Sequence, residues 1–219
     1  MQKSKKAKFI IFVFIIIILI TIALIYILNE KEKDLTLSMY KNISNSQKYT
    51  ITMEGQDSEY SYKISIAQKG TDISIDMNSK FEDEEQHTST LVTDRNAYYI
   101  MHNEQEYITL DSEDIEADSL IPEMKDIDGK IYQKGKEEIK GKSYYYEEYE
   151  DIATFLMLVD VNEEGNIKTR FYYDDGEIAY IKNIIEQDQE TIEELVKVKC
   201  NFDAEDSLFE IPEDYAEIE

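Results

Sequence analysis

The stretch Tyr60-Ser61-Tyr62-Lys63-Ile64-Ser65-Ile66 alternates apolar with polar side chains, and Ile73-Ser74-Ile75-Asp76-Met77 repeats the pattern. A period of two sends alternate side chains to opposite faces of a pleated strand. One face is then apolar and the other wet, as in an antiparallel sheet buried on one side. Between the two runs, Gln68-Lys69-Gly70-Thr71 supplies turn chemistry, so they are read as a hairpin.

The same reading extends in both directions. Tyr49, Ile51 and Met53 form an earlier strand that stops at a turn over Glu54-Gly55-Gln56-Asp57. After the break at Asp94-Arg95-Asn96, strands at Ala97–His102 and Glu106–Leu110 flank a turn at Asn103-Glu104. Further strands are expected at Ile131–Ile139 and Ser143–Asp151, joined at Lys140-Gly141-Lys142, and at the apolar run Thr154–Val161. Ile167–Tyr173 and Glu177–Ile185 face each other across Asp174-Asp175-Gly176, whose Asp-Gly step is a strong hairpin signal. The last strand places Val196, Val198, Cys200 and Phe202 inward. Helical spacing is confined to Asp34–Asn45, where Leu35, Met39 and Ile43 share a face behind a capping Asp34, and to one or two short helices in Asp111–Ile127 around Pro122.

The other decisive stretch is Phe9–Leu28, twenty residues without a charge. As a helix it spans roughly 30 Å, the thickness of a bilayer's hydrocarbon core. Lys3, Lys5, Lys6 and Lys8 precede it with no acidic residue among them, whereas Lys31 and Lys33 alternate with Glu30, Glu32 and Asp34 after it. The positive flank predicts a cytoplasmic amino terminus. Leu24-Ile25-Tyr26-Ile27-Leu28 offers no small-residue cleavage site, so an uncleaved signal anchor is expected. The organisation read from the chain is a cytoplasmic basic tail (1–8), a transmembrane anchor in the cell membrane (9–28) and a single extracytoplasmic domain (29–219). The fold class is mainly β (α+β): the transmembrane helix is followed by an unclosed antiparallel β-barrel or half-barrel with one to three short helices.

Composition narrows the function. The 219 residues hold 23 Lys plus Arg against 48 Asp plus Glu, a net charge of -25. Affinity for nucleic acid comes from neutralising phosphates with cations, so a nucleic-acid partner is excluded. A single cysteine rules out an intramolecular disulfide framework, and two histidines leave little room for His-based catalysis or a zinc site. His87 and His102 are read as unlinked surface side chains, and Cys200 as a small buried hydrophobe. The run Asp160–Asn166 starts like a calcium loop, but its twelfth position is Phe171 where a Glu is needed. The chain carries no Gly-rich phosphate loop, nucleophile elbow or Ser/His/Asp set, and no enzyme, metal or cofactor is expected.

Two segments carry a resemblance. One runs from Gly135 through Gly141 and Ser143-Tyr144-Tyr145-Tyr146 to Tyr149, followed by Arg170-Phe171-Tyr172-Tyr173-Asp174-Asp175-Gly176; the other is Ser207-Leu208-Phe209-Glu210-Ile211-Pro212-Glu213-Asp214-Tyr215. Together they resemble the carboxyl-terminal half of the LolA/LolB-like lipoprotein-carrier superfamily and its relatives in bacteria with one membrane. The resemblance is best over residues 135–219. It implies an unclosed antiparallel barrel whose mouth is covered by helices around an apolar cavity. Members of that superfamily carry the lipid chains of lipoproteins, bind glycolipids or act as sensory modules of envelope-stress regulators. An uncleaved anchor argues against shuttling between membranes.

Two functions follow as expectations. In the first, the anchored half-barrel holds a lipid or other apolar ligand, with Tyr60, Tyr62, Ile64, Ile73, Ile75, Met77, Tyr99 and Met101 lining the cavity. In the second, a structural or sensory ectodomain is filled by its own side chains and meets another cell-envelope protein. A cavity-filling change such as Ala179→Phe is expected to separate the two.

Overall fold

The computed structural model describes residues 34–56, 60–93, 96–110, 131–150, 166–187 and 190–218. The expected anchor (9–28), the short helices of Asp111–Ile127 and the strand Thr154–Val161 lie outside them. Among the described residues no helix is long and apolar enough to cross a membrane.

Helix α1 (Leu35–Asn45) leads into β1 (Lys48–Gln56), β2 (Tyr60–Lys69), β3 (Asp72–Phe81), β4 (Glu84–Val92), β5 (Ala97–Met101) and β6 (Glu106–Leu110). There follow β7 (Ile131–Ile139), β8 (Lys142–Glu150), β9 (Asn166–Asp174), β10 (Glu177–Gln187), β11 (Glu190–Asn201), a 3-10 turn (Asp206–Phe209) and β12 (Ala216–Glu217). The strands form one sheet in the order β12-β6-β5-β4-β3-β2-β1-β11-β10-β9-β8-β7. Two meanders thus meet at the antiparallel pair β1–β11, with Ile51 opposite Cys200 and Met53 opposite Val198. Pairing is antiparallel except where β12 runs parallel to β6. Among the described residues the sheet is open, bordered by β12 and β7.

Tight turns explain why neighbours in sequence are neighbours in space. Lys140-Gly141 (φ +51° and +83°) and Asp175-Gly176 (φ +49° and +90°) are two-residue turns with positive φ at both positions. That geometry matches the twist of the strands they join.

The alternation seen in the sequence sorts the sheet into two faces. The helix face carries Ile51 and Met53 of β1, Ile64 and Ile66 of β2, Phe171 of β9, Ile181 of β10 and Val196 and Val198 of β11, packed with Tyr40 and Ile43 of α1. Phe171 is fully buried and meets Tyr149 and Tyr40 edge-on, at ring-centroid distances of 5.6 and 6.4 Å. Each such side chain contributes about 1.5–3 kcal/mol through burial. The outer face has a smaller cluster of Ile139, Tyr144, Tyr146 and Tyr172, joined by Ala179, Tyr180 and Leu195.

α1 buries Thr36, Tyr40 and Ile43, one helical stripe. Its first turn is satisfied from across the fold. The carboxylate of Glu147 on β8 accepts the Leu35 and Thr36 amides at 3.0 and 2.9 Å and the Thr36 hydroxyl at 2.7 Å. Glu147 has no exposed surface, and the helix N-terminus is a favourable place for its charge. Lys134 lies 3.7 Å away, and Tyr173 donates to the Thr36 hydroxyl at 2.7 Å.

Several expectations need correction. Residues 54–56 are strand, not turn: Gly55 pairs with Tyr62, and a Cβ there would lie 2.4 Å from the Tyr62 ring. The glycine makes room for an aromatic ring. Glu84–Val92 is a full strand, β4, where none was expected. Phe202 falls just past the end of β11 and is 52% exposed. Ala179 packs with the outer-face cluster, beside a register shift between Ile178 and Tyr180, so it does not line the helix side.

Candidate functional site

All eight residues expected to line a cavity lie on the helix face. The register sets Ile64 against Met77 and Ile66 against Ile75, then Ile75 against Thr90 and Met77 against Thr88, then Thr90 against Tyr99 and Thr88 against Met101. Ile73 faces Val92 in the same way. The result is a continuous apolar field across β2, β3 and β5, with the threonines of β4 inside it.

Its two ends differ. Tyr62 and Ile64 are buried, at 4% and 3% exposure. The Tyr62 ring crosses Gly55 of β1, and its hydroxyl donates to Glu194 of β11 at 3.1 Å. Asn183 donates to the same carboxylate at 3.3 Å and accepts from Thr169 at 3.1 Å. Burial, then the Glu194 charge, pushes the Tyr62 phenol far above its ordinary range. Tyr62 is therefore committed to the structure. Tyr60, Ile73, Ile75, Met77, Tyr99 and Met101 are only half-buried, and Tyr99 and Met101 belong to neither apolar cluster.

The space around α1 is unequal too. Beneath it, among Tyr40, Ile43, Ile51, Ile178, Ile181 and Val198, the free volume is about 10 Å³, scarcely enough for one water. At its edge an open cleft of about 380 Å³ runs past Leu35, Met39, Tyr173, Cys200 and Phe202. The Cys200 thiol is half-buried at this edge and burial pushes it up to about 11, which makes it a poor nucleophile.

The outer face holds two polar groupings. On β7–β10, Arg170 bridges Glu137 at 2.7 Å and Glu148. Lys182 joins Glu137 to Glu193 at 2.9 and 3.1 Å. Tyr172 donates to Glu137 at 2.7 Å, and the Arg170 guanidinium lies 4.8 Å from the centre of the Tyr146 ring. Burial opposes ionisation of Glu137, but the Tyr172, Lys182 and Arg170 donors together hold its carboxyl below the usual range. These carboxylates are occupied by cations and structural.

The second grouping was missed in the sequence. His102 donates its backbone amide to His87 at 3.0 Å across β4 and β5, and the two imidazoles stack at 4.0 Å with 21° between planes. His87 Nε2 lies 2.8 Å from Asp76 Oδ2. Ser89 donates to the same oxygen at 2.8 Å and sits 2.6 Å from His102 Nε2. His102 Nδ1 meets the Tyr215 hydroxyl at 3.0 Å. Burial lowers the His102 pKa, aided by His87 and opposed by Asp76. The available signal was hairpin arithmetic: Val92 opposite Ala97 and Thr88 opposite Met101 carry the register on to His87 and His102.

No family model matches the chain, and no curated protein matches it in sequence. Among solved structures, the chain is similar to an uncharacterized conserved protein from Thermus thermophilus. The TM-score is 0.46 at 7% identity, over 84% of this chain and 96% of the other.

Proposed function

We propose that the chain is a membrane-anchored extracytoplasmic binding module, holding an acyl chain or comparable apolar ligand against the helix face of an open half-barrel. The observation that carries this reading is the apolar field of Ile73, Ile75, Met77, Tyr99 and Met101, which is only partly covered and continuous with a core that α1 closes elsewhere. Covering such surface is worth roughly 25 cal/mol per Å², so one acyl chain suffices for useful affinity. The LolA/LolB-like resemblance over residues 135–219 supports the same reading. In this proposal residues 9–28 hold the bilayer, residues 1–8 stay in the cytoplasm and 29–219 stand outside. The module needs no cofactor and binds no nucleic acid, and its work is binding rather than catalysis.

The test is mass spectrometry of lipids that co-purify with segment 30–219, paired with displacement of a fluorescent fatty acid. A stoichiometric lipid, with binding weakened at least tenfold by Thr90→Trp in the middle of the field, is the expected result. No lipid and no fatty-acid binding overturns the proposal. Protease added to intact cells is expected to remove the domain while leaving cytoplasmic proteins whole.

A second reading, a structural or sensory ectodomain that meets another envelope protein, is favoured by the filled interior beneath α1. Crosslinking in cells that recovers one envelope protein, unaffected by Thr90→Trp, would support it. Ala179→Phe is unsuited to this comparison because Ala179 belongs to the outer face.

A further inference from the structure

We propose that Asp76, His87 and His102 form a binding site for a borderline divalent transition metal, Zn²⁺ being the natural candidate, on the outer face of β3–β5. The chain has only two histidines, and the sheet register sets them side by side, with Asp76 one strand away. One ligand atom from each of the three lies within 4.8 Å of the others. Asp76 Oδ2 is 2.8 Å from His87 Nε2 and 3.9 Å from His102 Nε2. A tetrahedral metal with bonds of about 2.0–2.1 Å holds its ligands about 3.3 Å apart. The observed separations bracket that value, so small side-chain rotations close the site.

The surroundings match what metal ligands require. Tyr215 holds His102 Nδ1 at 3.0 Å, which fixes the ring with Nε2 2.6 Å from the Ser89 hydroxyl, the contact that a metal replaces. Ser89 bonds the carboxylate at 2.8 Å. Such outer partners orient the ligands. Side-chain exposures of 36% for His87, 29% for Asp76 and 19% for His102 leave a path for the ion and for a water as fourth ligand. One dication satisfies both stacked rings and the carboxylate together, without a like charge on each ring. Two imidazole nitrogens select Zn²⁺, Cu²⁺, Ni²⁺ or Co²⁺ over Ca²⁺ and Mg²⁺, which prefer oxygen. The site would also fasten the C-terminal segment, since Tyr215 lies between the 3-10 turn and β12.

The experiment is calorimetric titration of the full chain with Zn²⁺ at physiological salt, with Ca²⁺ in excess to occupy loosely binding carboxylates. The expected result is one Zn²⁺ per chain, weakened at least tenfold by His87→Gln or His102→Gln and about tenfold by Tyr215→Phe. Electron paramagnetic resonance of the Cu²⁺-loaded wild-type chain is expected to show coupling to two imidazole nitrogens, a readout that needs no variant to fold. Unchanged Zn²⁺ binding in the His87→Gln/His102→Gln chain, or a Cu²⁺ spectrum without nitrogen coupling, would overturn the proposal.

Discussion

Gly55 and Tyr62 show how one residue's absence of a side chain positions another's. A methyl group at position 55 would lie 2.4 Å from Tyr62 Cε1, so Gly55→Ala is expected to cost about 1–3 kcal/mol through overpacking. In a Tyr62→Leu background the same change is expected to cost far less, and urea unfolding of the four chains measures the coupling. Cys200 gives a second residue-scale test. With its thiol at about 11 against an ordinary 9.0, the folded chain holds about a hundredfold less thiolate at pH 8. Iodoacetamide is therefore expected to label it at least that much more slowly than in urea. Because the folded pKa lies above the unfolded one, the unfolded state loses its proton first. The stability contributed by the buried thiol is present below pH 9 and falls as pH rises through 9 to 11.

At the scale of elements, α1 depends on a carboxylate over a hundred residues away in the chain. Glu147→Ala leaves the part-buried amide of Leu35 and the buried amide of Thr36 without their acceptor, and a cost of about 3 kcal/mol is expected. Glu147→Gln, which keeps an acceptor oxygen, is expected to cost less. Hydrogen exchange should locate the loss in α1 and β8, with β3–β6 nearly unaffected. This dependence was not legible in the sequence, because a Glu inside a run of tyrosines reads as an outward polar position. The strands that were legible owed it to Ile, Val, Met and Tyr in strict alternation, as in β2 and β3. β4 escaped because Thr88 and Thr90 fill its inward positions with hydroxyl-bearing side chains, which hide the period of two. The histidine pair was lost with it, since its meaning depends on a register that only β4 supplies. Gly55 carries a turn signal in the sequence, although its role is clearance for a ring.

The whole molecule carries a charge of -25, and its described ion pairs include exposed ones such as Lys48–Asp203, Lys69–Asp206 and Lys197–Glu54. Such pairs are worth little individually, whereas mutual repulsion among the surplus carboxylates acts over the entire surface. Added salt screens both. The surplus dominates, so the thermal midpoint is expected to rise by about 3 °C between low and physiological salt. A fall would mean that the pairs outweigh the repulsion.

The borders of the sheet have a further consequence. One ends in a strand of two residues, Ala216–Glu217. At the other, β7 pairs with β8 alone among the described residues, displays exposed Lys134, Lys136 and Glu138 and has an irregular register at Ile131/Gln133. A short rim and a charged, uneven rim are both poor templates for a passing chain. Many copies crowded together should therefore remain separate molecules rather than zip edge to edge into fibrils.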